Sequence, residues 1–143
     1  VGARRHFMSI LVALVTVPAG YLCLDYSLHR GLNTFVAGRT HAPVLAVIFL
    51  IAACALFLVA AGTGRVAAMG PILAAIVWGA VPAVIAFVHP SWLVKAVGYL
   101  PNFYSQIGDA VVFYGPFLFP MTATLLLGAG LSGRWRRTGV PKR

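Results

Sequence analysis

The chain has 143 residues, 61% of them hydrophobic and only 9% charged, with a formal net charge of +9. A soluble domain carries roughly a quarter of its residues as charges, so these proportions exclude an ordinary water-soluble fold. Any chemistry must lie inside a membrane bundle, in its loops, or on a partner.

After the basic lead containing Arg4 and Arg5, residues 7–26 form the first apolar run. It is longer than the hydrophobic region of a cleaved leader, and Leu22 before Cys23 is too large for a lipoprotein cleavage site, so it reads as a retained span. Asp25 lies near its outer end, at interfacial rather than mid-membrane depth. An acid close to lipid is costly and a functional candidate by default; here Asp25 and Arg30 read as an interfacial ion pair, with Arg39 and Lys95 as other possible partners.

Residues 27–42 are polar, carry Gly31 and Gly38, and read as an external loop with at most one helical turn. Pro43 suits the first turn of the second span, residues 43–61, because its missing donor would have no partner there. The tetrapeptide Gly62, Thr63, Gly64, Arg65 is short enough only for a tight cytoplasmic hairpin.

The third span, residues 66–88, has no charged side chain. At ~1.5 Å per residue it reaches about 35 Å, enough to cross a hydrocarbon core of roughly 30 Å. It reads as the helix around which the others are arranged. Ala75, Gly79 and Ala83 recur every fourth residue and offer a smooth strip for close backbone approach. Pro82 removes a backbone donor and should bend this helix.

Residues 89–109 form an aromatic outer segment holding Trp92, Tyr99, Phe103 and Tyr104. That composition suits headgroup level. A short interfacial helix from Trp92 to Leu100, capped by Ser91 and stopped by Pro101, is expected, and it could bind a partner subunit.

The fourth span is residues 110–131, with Asp109 placed to cap its start. Pro116 and Pro120 should break its hydrogen-bond ladder and leave it bent or partly unwound. Gly128 and Ser132 stand at small-xxx-small spacing for helix contact. The tail, residues 132–143, places Trp135 among cations, as expected at anionic headgroups of a cytoplasmic leaflet.

The expected fold is therefore all-α, an integral membrane four-helix bundle in one transmembrane domain, with a short interfacial helix between spans three and four. With both termini in the cytoplasm of a bacterial-type inner membrane, Arg4, Arg5, Arg65, Arg134, Arg136, Arg137, Lys142 and Arg143 lie inside and only Arg30, Arg39 and Lys95 outside. The positive-inside rule favours that arrangement.

No catalytic, metal or cofactor constellation is evident. Cys23 and Cys54 form no paired motif. His29, His41 and His89 sit at or beyond the ends of spans, whereas haem ligands in four-helix membrane anchors lie within the apolar region. The hairpin lacks the lysine of a phosphate loop, and the two acids offer no paired-carboxylate spacing.

The leading expectation is a non-catalytic accessory subunit of a larger membrane complex, such as a multi-subunit lipid transporter or a respiratory assembly. Its partners would be that complex and the bilayer lipids, with no nucleic acid. Candidate partner or lipid contacts are Ala75, Gly79, Ala83, Trp92, Tyr99, Phe103, Tyr104, Gly128 and Ser132. A small carrier or binding protein for an apolar ligand is the alternative, followed by a haem or quinone anchor of an oxidoreductase.

Overall fold

A computed structural model of the chain describes residues 2–38, 43–99 and 115–132. Among these the only regular structure is helical. In chain order the elements are α1 (Gly2–Val36), α2 (Val44–Gly62), a 3₁₀ turn (Thr63–Arg65) and α3 (Met69–Ala75). A π-helical segment (Ile76–Ala80), α4 (Val81–Val88) and α5 (Pro90–Gly98) follow, and α6 (Gly115–Ser132) completes the described chain. Four stretches are long and apolar enough to cross a membrane: Gly2–Gly31, Val44–Arg65, Met69–Val88 and Gly115–Ser132. The protein is an all-α, multi-pass membrane bundle, and α3, the π segment and α4 together make its third span.

Several boundaries differ from the sequence expectation. The first helix does not end near residue 26 but runs for 35 residues, so residues 27–36 are helix and not loop. No proline interrupts this stretch, and the Thr34 hydroxyl folds back onto the Arg30 carbonyl at 2.8 Å. The first left-handed residue is Gly38, at φ 69°, where the chain turns out of the helix. In α2, Pro43 is the N-cap residue, with φ −61° and ψ 136°, rather than part of the first turn. The interfacial helix starts at Pro90, whose fixed φ suits the first helical position. Ser91 thus lies inside the first turn and is not the cap, and the helix ends at Gly98.

The fourth span also differs from expectation. α6 is helical across all its described residues, Pro116 and Pro120 included, and is not unwound there. The irregularity falls in the third span, where Ile76–Ala80 winds as a π-helix and the Val81 N–H reaches the Ile76 carbonyl five residues back. Pro82 follows at the start of α4. A helix that must place a proline here relieves the clash by slipping one residue in register.

The packing centre is α1, not the third span. α1 lies along both α2 and α3, whereas α2 and α3 barely touch beyond the hairpin. The core comprises Ala13, Val17, Ala60, Ala74, Ala75 and Leu126, with Tyr21, Phe57 and Trp78 packed against it. On α2, the buried residues Ala46, Ala53 and Ala60 recur every seventh position and turn toward the bundle. The rest of that helix exposes Val44, Leu45, Ile48, Ile51 and Leu58. In a bundle whose solvent is lipid, such an inverted pattern of small residues inside and large ones outside is what close helix packing requires.

Candidate functional site

The first span carries Pro18, and the third carries Pro71 and Pro82. In the α-helical register each residue donates its N–H to the carbonyl four residues earlier. A proline cannot, so the carbonyls of Leu14, Ala67 and Trp78 lose that donor. Inside a bilayer an unsatisfied carbonyl costs several kcal/mol, so each of these groups calls for a substitute.

The fold supplies one for each. The Trp78 indole Nε1 donates to the Leu14 carbonyl at 3.1 Å. The Tyr21 hydroxyl donates to the Trp78 carbonyl at 3.0 Å. The Ser9 hydroxyl donates to the Ala67 carbonyl at 3.1 Å, with the Thr63 carbonyl also near at 3.3 Å. All three bonds run between α1 and the third span or the turn before it. They form a clasp in which the defects of one helix are filled by side chains of the other.

Tyr21 is its hub. Its ring meets Phe57 of α2 edge-on at 5.5 Å and Phe119 of α6 edge-on at 5.4 Å, while its hydroxyl reaches the third span. Thr122 of α6 lies beside the same phenol. One side chain thus touches all three other spans. Close backbone approaches flank it. A Cβ added at Gly70 would meet the Ser9 carbonyl oxygen at 2.5 Å, and one added at Gly79 would meet the Ala123 Cβ at 2.6 Å.

On the side of Tyr21 toward the start of α2 lies a small, partly open cleft of about 10 Å³ between α1 and α6, room for about one water. It is lined by Tyr21, Leu24, Asp25 and Leu28 from α1 and by Gly115, Leu118 and Phe119 from α6. Asp25 is only 2% exposed. Two residues on, Ser27 donates to the Ala46 carbonyl in the first turn of α2 at 2.6 Å. Asp25 therefore lies just inside the end of the bundle where α2 begins, buried in protein rather than at an open interface. Gly115 leaves room for the Phe119 ring, which a Cβ there would meet at 2.8 Å.

The residues singled out from sequence fall in different places. Ala75 and Gly79 are buried within the chain, Gly79 against α6, and Ala83 is half-buried. Gly128 and Ser132 face outward on α6, and around Gly128 there is open space. Trp92 and Tyr99 are exposed on and beside α5, with the His89 ring stacked on Trp92 at 5.1 Å. Arg30 is exposed and lies over the Tyr26 ring at 5.6 Å. Asp25 and Arg30 are five residues apart on one helix, so their side chains leave it about 140° apart.

His41, Phe103, Tyr104, Asp109 and the basic tail lie outside the described residues. Cys23 is half-buried and Cys54 exposed, both as free thiols. Sequence reasoning missed Tyr21, Trp78 and Ser9. The available signal was the carbonyl four residues before each proline. Compared with protein-family models, curated proteins and solved structures, the chain matches none.

Proposed function

We propose that the chain is a non-catalytic accessory subunit of a larger complex in a bacterial-type inner membrane, with both termini cytoplasmic. The observation that carries this reading is the outward-facing strip on α6. Thr124, Gly128 and Ser132 are all exposed at four-residue spacing, and nothing among the described residues lies within 4 Å of a Cβ placed at Gly128. Small residues at this spacing let a second helix approach closely.

The comparable strip on the third span is already occupied within the chain, Gly79 meeting Ala123. The polar side chains Ser9, Tyr21, Ser27 and Trp78 donate to backbone carbonyls, which is work of holding helices together rather than of reacting with a substrate. The host suited to such a subunit is a multi-subunit lipid transporter or a respiratory assembly. The aromatic segment around α5 and the anionic headgroups met by the basic tail would fix its depth and sidedness.

The test is purification of the tagged chain in mild detergent. A larger stoichiometric membrane partner should be retained, and Gly128→Leu should release it while the chain itself stays folded. A stable lone monomer or homo-oligomer would count against the reading.

A further inference from the structure

We propose that α4 and α5 move as one lever about the π segment, with Gly79 as the pivot and the Tyr21 hydroxyl as the latch that holds the lever closed on the bundle. This goes beyond an accessory role and does not depend on it.

The third span is packed on one side of the π segment and loose on the other. Before it, α3 lies along α1 and buries Gly70, Pro71, Ala74 and Ala75. After it, α4 buries only Ala86, and among the described residues no Cα of α4 or α5 comes within 8 Å of α1 or α2. Val81, Val84, Phe87 and Val88 of α4 are all exposed. The outer half of this span is therefore tied to α1 through the π segment and not through contacts of its own.

The joint has the make-up of a hinge. Ile76–Ala80 is wound as a π-helix, and Pro82 just after it has no N–H to give the preceding turn. Prolines and π-bulges are the places where helices bend sharply. Beyond the joint the lever is continuous. The His89 N–H bonds the Ile85 carbonyl at 2.9 Å, the Trp92 N–H bonds the His89 carbonyl at 3.0 Å, and the His89 ring stacks on Trp92, so α5 follows α4. Gly79 supplies the fixed point, because it lies against Ala123 of α6 with no room for a Cβ.

Two hydrogen bonds join α1 to this joint. The Trp78 indole reaches the Leu14 carbonyl through a side chain whose torsions can follow a movement, whereas the Tyr21 hydroxyl grips the backbone itself at the Trp78 carbonyl. Tyr21 is thus the group whose release frees the joint. With eight residues α4 is about 12 Å long, so a swing of about 25° carries α5 through about 5 Å. A displacement of α5 at headgroup level is in this way coupled to one hydrogen bond at the centre of the bundle.

The test is pulsed electron–electron double resonance on the full chain in nanodiscs, with Cys23 and Cys54 replaced by alanine and nitroxides on two cysteine pairs. Leu45→Cys with Val94→Cys spans the joint, and Leu45→Cys with Met69→Cys stops short of it; all three sites are exposed. Tyr21→Phe should raise a longer Leu45–Val94 population, displaced by about 5 Å, by about fivefold, the equilibrium equivalent of one interhelical hydrogen bond. The Leu45–Met69 distance should stay unchanged, which also shows that the variant is folded. Pro82→Ala, which gives the helix back its N–H, should lower the longer population in the Tyr21→Phe background. Ser9→Ala removes an α1 bond to Ala67, ahead of the joint, and should leave the Leu45–Val94 distribution as it is. An unchanged Leu45–Val94 distribution in Tyr21→Phe, an equal change in Ser9→Ala, a change in both pairs together, or no response to Pro82→Ala would overturn the proposal.

Discussion

The Trp78 indole reaches across the bundle to the Leu14 carbonyl at 3.1 Å, the acceptor that Pro18 leaves without its helical donor. Its own carbonyl, deprived in turn by Pro82, accepts from Tyr21 at 3.0 Å. Trp78 is therefore donor and acceptor in one interhelical clasp, and each bond exists because a proline has vacated a backbone site.

That relation predicts non-additive mutations. Tyr21→Phe should lower stability by about 1 kcal/mol, the range measured for interhelical hydrogen bonds in membranes. Pro82→Ala restores an N–H that the α-helical register would direct to the Trp78 carbonyl. In that background Tyr21→Phe should cost markedly less. Trp78→Phe paired with Pro18→Ala should behave likewise. Reversible unfolding in mixed micelles, analysed as double-mutant cycles, checks both; strictly additive costs would show that the carbonyls vacated by proline are not what the side chains serve.

Glycines should divide by what surrounds them. Gly79→Ala places a methyl against Ala123, at 2.6 Å from its Cβ, and should cost about 1–3 kcal/mol as overpacking. Gly70→Ala should do the same against Ser9. Gly128→Ala enters open space and should change the stability of the isolated chain by less than about 0.5 kcal/mol. The same unfolding measurement ranks all three. Should Gly128→Ala prove as damaging as Gly79→Ala, α6 would have to be rotated relative to the packing described.

Sidedness is open to direct labelling. Gly62 is exposed at the hairpin end of α2, with nothing within 4 Å of a Cβ placed there. In a background with Cys23 and Cys54 replaced by alanine, Gly62→Cys should react with a membrane-impermeant maleimide only in inverted vesicles or lysed cells. Labelling in intact spheroplasts would place the hairpin, and the termini with it, on the other side of the membrane.

How much of this was legible beforehand depended on the kind of interaction. The four spans, the hairpin at Thr63–Arg65 and the interfacial helix follow from runs of apolar residues broken by glycine, proline and charge. These are properties of consecutive residues. Helix ends were less legible, since α1 runs on to Val36 through residues that neither favour nor forbid a helix. In such a stretch, propensity is a weak prior and context decides.

By itself the sequence determined that lipid is the solvent, because the hydrophobic excess and the scarcity of charge leave no alternative, and it determined which backbone carbonyls would lack donors, because proline chemistry is local. Only the tertiary structure decided that Ser9, Tyr21 and Trp78 would fill those vacancies, that α1 would be the packing centre, and that Asp25 would be walled in by Leu118 and Phe119. These outcomes depend on the rotation and tilt of one helix against another. Helices far apart in sequence take those angles from the sum of many small contacts, and no single segment encodes them.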